Sequence, residues 1–224
     1  MRMAAPKSAT ADTGRTYGGE SAAARQERQR RQFLDAGLTL FGTVGYRATT
    51  VRMLCKEAGL IDRYFYKNFQ DTEDLLAAIH GASMDHIEAQ VLAAIAATTT
   101  RTPDAIVAAG LDAFFAAVED ARMTRVCWLE VLGVSPRIQT LYTQRIQRFA
   151  RLLLDVAQQL QPRWPLDDEE ADITTIALVG AISQSAMHWL LTDYHAARAT
   201  LVSANARLLR GLVGALGEES ADRR

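Results

Sequence analysis

The chain has 224 residues, of which 49% are hydrophobic and 23% charged, the profile of a soluble globular protein with a substantial core. Cys55 and Cys127 stand alone, with no CxxC or Cys/His cluster, so neither a disulfide scaffold nor a zinc site is indicated and a reducing cytoplasm is expected. Residues 1–70 hold 12 Lys/Arg against 6 Asp/Glu, whereas residues 71–224 hold 13 against 20. A basic amino-terminal third beside an acidic remainder is typical of a nucleic-acid reader with a separate control domain, unless the split of charge is accidental.

The chain opens with a polar stretch and a basic helix. Residues 1–24 are small, polar and glycine-containing, without helical periodicity or an apolar core of signal-peptide length, so we expect a disordered leader and no export. A helix follows from about Ala24 to Val44, basic in its amino half and apolar on one face of the remainder. The basic half is either a contact for a DNA backbone or a solvated helix face.

Two short helices joined by a tight turn are predicted over residues 49–69. Thr50 is a suitable N-cap, and apolar residues recur at helical spacing up to Ala58. Gly59 stands where a left-handed residue closes a helix, since glycine has no side-chain clash there. A second helix spans residues 62–68, with Phe65 and Phe69 facing inward. The side chains left outside are Arg63, Tyr64, Tyr66, Lys67 and Asn68. This is the pattern of a helix-turn-helix with a recognition helix equipped for DNA.

Helical patterns continue to the end of the chain. An acidic first turn after Asp71 opens a long helix to about Thr98, and Pro103 opens the next. A short apolar helix is predicted over 122–133, and a longer one begins at Ser135-Pro136. The predicted fold is therefore all-α, with about nine helices. A three-helix helix-turn-helix DNA-binding domain spans residues 25–70, a larger helical domain spans 71–217, and a polar tail spans 218–224.

The last two predicted helices are suited to pairing with a second copy of the chain. Residues 173–191 contain no Asp, Glu, Lys or Arg, which is long enough for a membrane span. Six polar residues interrupt this stretch and no positive flanks accompany it, so we expect a helix buried between its own domain and a partner, and no membrane. Both helices carry small residues, including Gly180 and Gly211, that allow a four-helix bundle between two-fold copies.

The order of these parts resembles one family. The segment GYRATTVRMLCKEAG after a basic helix, the recognition helix RYFYKNF and the acidic helix start DTEDLL are similar to those of the tetracycline-repressor (TetR) family of bacterial regulators. The match is dense over about Arg25 to Ala78 and architectural beyond. The resemblance implies a repressor that binds a palindromic double-stranded DNA operator as a homodimer. It also implies a small-molecule effector, bound in the larger domain, that changes the spacing of the two readers and releases the DNA.

The resemblance also implies roles for residues of the reader. Thr50 and Tyr66 are expected to contact phosphate, Lys67 to reach the backbone, and the early positions of the recognition helix to face the major groove. The predicted DNA-binding residues are Thr50, Arg52, Asp62, Arg63, Tyr64, Tyr66, Lys67 and Asn68. By its chemistry Arg63 can bond a guanine edge in two places, unless it pairs with a carboxylate of its own helix. The family often has Ser or Thr where this chain has Ile61, so Asp62 is expected to cap one residue later. It often has Lys or Arg where this chain has Thr72.

Large side chains of the second domain are predicted to line an effector pocket. Each of them, taken singly, could equally be an ordinary core residue. The predicted ligand-binding residues are Phe114, Met123, Cys127, Trp128, Glu130, Tyr142, Arg145, Phe149, Met187 and His188. Glu130 and Arg145 interrupt apolar stripes. They pair with each other in the interior, or one of them orients a polar effector group, or both point to solvent. A redox role for Cys127 is left open, although nothing nearby in the sequence indicates a lowered thiol pKa.

Other function classes lack support in the sequence. No Gly-rich phosphate loop, nucleophile elbow or metal-spaced His/Asp/Glu set occurs, so we expect no enzyme, no metal and no cofactor. The alternative to a ligand-responsive regulator is a sequence-tolerant DNA-architectural or protein-interaction helical module. Such a module would not need about 150 residues of apolar helical domain behind the reader.

Overall fold

The computed structural model describes residues 21–160 and 166–222, which are helical throughout with no strand among them. The α-helices are α1 (Ala22–Thr43), α2 (Val51–Ala58), α3 (Asp62–Asn68), α4 (Thr72–Ala97), α5 (Pro103–Ala117), α6 (Ala121–Trp128), α7 (Pro136–Leu160), α8 (Asp168–Leu191) and α9 (Arg198–Asp222). A single 3-10 turn, Tyr46–Ala48, joins α1 to α2. The predicted all-α class with about nine helices is confirmed for the described residues.

The first three helices pack around phenylalanines. The Thr50 hydroxyl accepts a hydrogen bond from the Met53 amide at 3.3 Å, and Gly59 closes α2 with a φ of +65°. This geometry turns the chain so that α3 crosses α1. Phe65 of α3 is fully buried, with its ring centroid 5.3 Å from that of Phe33 on α1 in an edge-to-face arrangement. Local capping and one aromatic contact thus fix the position of the predicted recognition helix.

Helices α4 to α9 form the larger bundle, and its termini are capped by short polar side chains. Asp71, Thr102, Asp120 and Asp167 each accept a backbone amide at the start of a helix. The core of this bundle contains Phe115, Trp128 and Trp189. Helix α4 contributes buried residues from its first turns to the amino-terminal core and buried residues further along to the core of the bundle. Because α4 contributes to both cores, it connects the reader mechanically to the bundle.

A second connection runs between α1 and α6. Gly42 of α1 lies so close to Arg122 that an added Cβ would stand 2.5 Å from the Arg122 Cα. Only a glycine allows this approach without moving a backbone. The Arg122 side chain bonds Asp120 at 2.7 Å and reaches the Thr39 hydroxyl at 3.3 Å. The end of α1 therefore packs directly against α6 of the larger bundle.

Helix α8 buries one face and exposes the other. Thr175, Val179 and Trp189 are buried in the bundle, whereas Ile173 and Leu191 are 63% and 66% exposed. By length and composition α8 could cross a membrane, with a mean hydropathy of 1.2 over its 18-residue window, a third of which is buried. In the isolated chain the helix is thus not buried on all sides, and its exposed stripe is left for the partner subunit that the sequence predicts.

Several predicted boundaries differ from the structure. Residues 22–24 of the predicted leader form the first turn of α1 and Ser21 is its N-cap, whereas residues 1–20 lie outside the described residues. Helix α9 continues to Asp222, so most of the predicted polar tail is helical backbone. The helix predicted to end at Gly133 ends at Trp128, because the Leu129 and Glu130 amides both bond the Arg125 carbonyl and close the last turn. The predicted boundary between the two domains at residue 70 stays a prediction.

Candidate nucleic-acid interface and effector cavity

The recognition helix begins without a conventional cap. Ile61 occupies the N-cap position and its side chain makes no capping hydrogen bond. Asp62, the first helical residue, accepts a hydrogen bond from the Arg63 amide at 2.8 Å. One of the unpaired amides of the first turn is therefore satisfied by the residue that the sequence predicts. The Tyr64 amide of the same turn donates to the Ile61 carbonyl at 3.0 Å.

The outer face of α3 carries cations and one aromatic ring. Arg63 and Lys67 are exposed, and neither forms a salt bridge within the described part of the chain. Tyr66 is 62% exposed and lies between them in sequence. An intra-helix pair between Arg63 and a carboxylate, the alternative raised by the sequence, is absent from these residues. The face is free to meet a polyanion.

Two of the predicted DNA-binding residues serve the helix itself. Asn68 is half-buried, and its side-chain amide donates to the Tyr64 carbonyl at 2.7 Å. Tyr64 is also half-buried and packs against the amino-terminal core. Thr50 is exposed at the start of α2 with its hydroxyl engaged as a cap, and Arg52 is exposed two residues later. The exposed set is therefore Thr50, Arg52, Asp62, Arg63, Tyr66 and Lys67.

One cation of the basic first helix has a structural role. Arg30 donates to the Asn68 carbonyl at 3.2 Å and lies 4.5 Å from the centroid of the Phe69 ring. This contact ties the carboxyl end of α3 to α1 by a hydrogen bond and a cation–π interaction. Because the partners are 38 residues apart, sequence spacing gave no sign of it.

The bundle encloses an inner cavity. About 750 Å³ of empty space, part of it open to solvent, lies between α4, α5, α7, α8 and α9. Of the predicted pocket residues, Phe114, Trp128 and Phe149 line it, and Ser183 is the hydroxyl-bearing side chain among its lining residues. Aliphatic side chains complete the wall, including Val91 of α4. No charged group lines the described wall, so the cavity is suited to an apolar ligand.

A second, outer cavity of about 1080 Å³, also partly open to solvent, adjoins the inner one. The two share four lining residues, Val107, Leu153, Val156 and Leu209. The outer cavity adds charged groups that the inner one lacks. Asp104 of α5 and Arg210 of α9 line it, with 3.7 Å between the nearest oxygen and nitrogen.

These features agree with known proteins. Residues 33–79, from the middle of α1 to the first turns of α4, match the family model of bacterial regulatory proteins of the tetR family. The amino-terminal helices of the chain are therefore similar to the DNA-binding segment of the tetR family. This match supports the DNA-binding regulation that the sequence predicts. No curated protein sequence matches the chain.

Solved structures of transcriptional regulators share the fold of this chain. The regulator FadR from Bacillus subtilis, in complex with stearoyl-CoA, aligns with a TM-score of 0.68 at 18% identity over 80% of this chain and 96% of that one. A TetR-family regulator from Mesorhizobium loti aligns with a TM-score of 0.69 at 15% identity, covering 84% and 98%. A regulator from Pseudomonas aeruginosa aligns with a TM-score of 0.67 at 20% identity, covering 84% and 91%. At these identities the likeness shows the fold alone.

Glu130 and Arg145 do not pair with each other, which corrects one interpretation of the sequence. The Glu130 carboxylate bonds Arg125 at 3.0 Å and accepts the Tyr46 amide at 2.8 Å, with 14% of its side chain exposed. Arg145 instead pairs with Asp85 of α4. Neither residue lines the inner or the outer cavity, and the Glu130 side chain is largely buried. Glu130 connects the turn after α6 to the 3-10 turn before α2.

The remaining predicted pocket residues lie elsewhere. Met123, Cys127 and Tyr142 pack in the cores around the cavity without lining it, as does Met187. His188 is exposed and lines neither of the two cavities, and its role in ligand binding stays a prediction. Aliphatic residues of α4 and α8 line the inner cavity instead. Their helical stripes are visible in the sequence, but nothing in a stripe shows where the packing leaves a void.

Burial determines the chemistry of two ionisable groups near the cavity. Complete burial raises the pKa of the Cys127 thiol to about 12, so a thiolate is suppressed and the thiol is unsuited to redox sensing. His80 is 2% exposed, and burial, followed by the charge of Arg145, lowers its pKa from 6.5 to about 4. Its Nε2 atom has no hydrogen-bond partner among the described residues. Both side chains are therefore neutral parts of the core at physiological pH.

Proposed function

We propose that this chain is a transcriptional repressor that binds a palindromic operator as a homodimer in the cytoplasm and is released by an apolar effector in the inner cavity. The exposed cationic face of α3, on a helix fixed by Phe65 and Arg30, is the observation that carries the DNA-binding part. A helix of this kind inserts into a major groove with its early residues toward the bases.

The division of work on that face follows from chemistry. Arg63 is assigned to a guanine edge, because its planar guanidinium can donate two parallel hydrogen bonds. Lys67 and Tyr66, further along the helix, are assigned to phosphates, where they position the protein without reading sequence. Thr50 and Arg52 at the start of α2 are assigned to the same backbone. Tyr64 and Asn68, half-buried and engaged within the protein, receive smaller roles.

The dimer is assigned to the outer faces of α8 and α9. Ile173, Ile176 and Leu191 on α8 and Leu208 on α9 are all more than 40% exposed. A Cβ added at Gly180 would meet nothing within 4 Å, so this face leaves room for a close-packed partner helix. Exposed large apolar side chains that follow one stripe are typical of an interaction surface. Two copies of α8 and α9 then form the four-helix bundle that the sequence predicts.

The effector is assigned to the inner cavity. Its lining is apolar apart from Ser183 and the indole nitrogen of Trp128, which has no partner among the described residues. FadR from Bacillus subtilis was solved with stearoyl-CoA, so this fold can hold a ligand with a long alkyl chain. A ligand in the cavity would displace Trp128 at the end of α6. Arg122 of α6 contacts Gly42 of α1, and Glu130, in the turn after α6, accepts the Tyr46 amide. Displacement of these contacts would change the spacing of the two recognition helices.

A mobility-shift titration tests the proposal as a whole. DNA flanking the chain's own gene is titrated with the purified protein at two salt concentrations, with and without candidate apolar effectors. Sequence-selective binding that an effector releases supports the repressor. Binding of any DNA with equal affinity and strong salt dependence would instead support the alternative, a sequence-tolerant architectural module.

Substitution of Arg63 and of Lys67 by alanine is expected to have different effects. Arg63→Ala removes two donors to a base and should lower the discrimination at one operator position by about 1–3 kcal/mol. Lys67→Ala should weaken binding to all sequences alike and reduce the salt slope by about one. Fluorescence anisotropy with a set of single-base operator variants measures both effects. Unchanged base preference in the Arg63 variant would refute its assignment.

Placing a charge on the exposed stripe of α8 is expected to dissociate the dimer. Ile176→Arg brings two cations to a two-fold interface, which should weaken the dimer about a hundredfold or more, because a buried unpaired charge costs several kcal/mol. Analytical ultracentrifugation measures the dimer constant. Gln90→Arg, an exposed position on α4, is the matched control and should remain dimeric. Equal dissociation of both variants, or of neither, would contradict this interface.

A further inference from the structure

The two adjoining cavities differ in charge. The inner cavity is lined in part by Phe114 and Trp128, and no charged side chain is among its described lining residues. The outer cavity contains Arg210 and Asp104, and Arg210 is the cation among its described lining residues. Since both share Val107 and Leu209, one elongated ligand can occupy both. Two adjoining cavities, one apolar and the other containing a cation, match the two ends of an amphiphile.

We propose that the cavities bind one single-chain amphiphile, with its alkyl chain in the inner cavity and an anionic head group, a carboxylate or a phosphate, at Arg210. This inference rests on the proposed role of the inner cavity as the effector site. It adds the chemical class of the effector and the residue that recognises its head.

The length of the space sets the length of the chain. Both cavities lie along α5, from Asp104 in the outer one to Phe114 in the inner one. Ten residues of α-helix at 1.5 Å each span about 15 Å. An alkyl chain advances slightly less than one carbon–carbon bond of about 1.5 Å per carbon, so the space holds on the order of twelve carbons.

The orientation follows from the cost of burying charge. An anionic head group in the inner cavity would lose its hydration, and the polar groups of the lining there are the Ser183 hydroxyl and the Trp128 indole. Neither carries a positive charge, and an ionised group buried without a counter-charge is strongly disfavoured. At Arg210 the head meets a cation that is half exposed, so the anion is both paired and hydrated. The alkyl chain therefore points inward.

Arg210 is available for such a ligand. Its distance of 3.7 Å to Asp104 is too long for a hydrogen bond, and the two side chains are 50% and 67% exposed. An ion pair of this kind contributes little to stability. A carboxylate or phosphate on the ligand can approach to hydrogen-bond distance, where a charge-assisted bond is stronger. Asp104 then turns to solvent, and its negative charge competes with the ligand until it does.

Binding of three twelve-carbon probes to the full-length protein tests the proposal. Dodecanoate, dodecyl phosphate and dodecanol are titrated below their micellar concentrations, with isothermal calorimetry as the measurement. We expect both anions to bind about tenfold more tightly than the alcohol. Arg210→Gln should remove that preference while the alcohol binds as before, and Asp104→Asn should strengthen anion binding several-fold. Arg207→Gln, three residues earlier on α9 and lining neither cavity, is the matched control and should keep the preference.

The other outcomes overturn the proposal. Equal binding of acid and alcohol, or an anion preference that survives Arg210→Gln, would refute the head-group assignment. Loss of the preference in Trp128→Phe together with its retention in Arg210→Gln would show the reverse orientation. Absence of binding by all three probes would refute the ligand class. Operator release is measured separately: anion binding that depends on Arg210 but leaves the operator bound would contradict the repressor mechanism and not this site.

Discussion

Phe65→Ala is expected to lower the free energy of unfolding of the amino-terminal helices by about 3–5 kcal/mol and to abolish operator binding. Phe65 is fully buried and packs edge-to-face on Phe33, with ring centroids 5.3 Å apart. The substitution removes the aromatic that holds α3 across α1, so it leaves a cavity and frees the recognition helix. Chemical denaturation followed by circular dichroism measures the stability, and anisotropy measures DNA affinity.

Tyr66→Ala provides the matched comparison. Tyr66 is the next residue on α3 and is 62% exposed, so removing it should cost less than about 1 kcal/mol of stability. Its proposed contact is a phosphate, and the variant should therefore bind all operators more weakly without altered base preference. If Phe65→Ala left the denaturation curve unchanged, or if Tyr66→Ala shifted it as far, the inward and outward faces of α3 would be assigned wrongly.

Acidification is expected to destabilise the protein through His80. The pKa of His80 is about 4 in the folded chain and about 6.5 when it is unfolded. At pH 7 the imidazole is neutral in both states. Below pH 6.5 the unfolded chain takes up a proton that the folded chain does not, so unfolding becomes easier as the pH falls. The difference of 2.5 pKa units corresponds to about 3 kcal/mol, fully developed near pH 4.

Comparison with His80→Gln isolates this contribution from that of the carboxylates. Free energies of unfolding are measured between pH 7 and pH 4 for the wild type and the variant. The wild type should lose about 3 kcal/mol more than the variant over this interval. His86→Gln, at an exposed position on the same helix, should follow the wild type. Parallel curves for wild type and His80→Gln would show that His80 is protonated in the folded state.

The cavity shows why a sequence of helices does not predict a binding site. Phe114, Trp128 and Phe149 were predicted to line it and do. Met123 and Cys127 belong to the same predicted set and the same core, yet lie outside the wall. Periodicity identifies which residues face inward. A void depends on the distances between five helices, to which every inward side chain contributes.

The sequence by itself determined the reader and the all-helical class. The Thr50 cap, the left-handed Gly59 and the spacing of the phenylalanines act within a few residues, so local rules place α2 and α3 and turn Arg63, Tyr66 and Lys67 outward. These features depend on backbone sterics and on the 3.6-residue period, which every short segment carries with it.

Only the tertiary structure decided what connects the reader to the bundle. Glu130 bonds the Tyr46 amide across 84 residues, and Arg145 pairs with Asp85 across 60. Each pairing forms only when segments that are distant in sequence pack at one particular crossing angle and axial offset. The same holds for the outer cavity, where α9 brings Arg210 beside Asp104 at the start of α5. Contacts between distant segments arise from packing, and packing is a property of the whole chain.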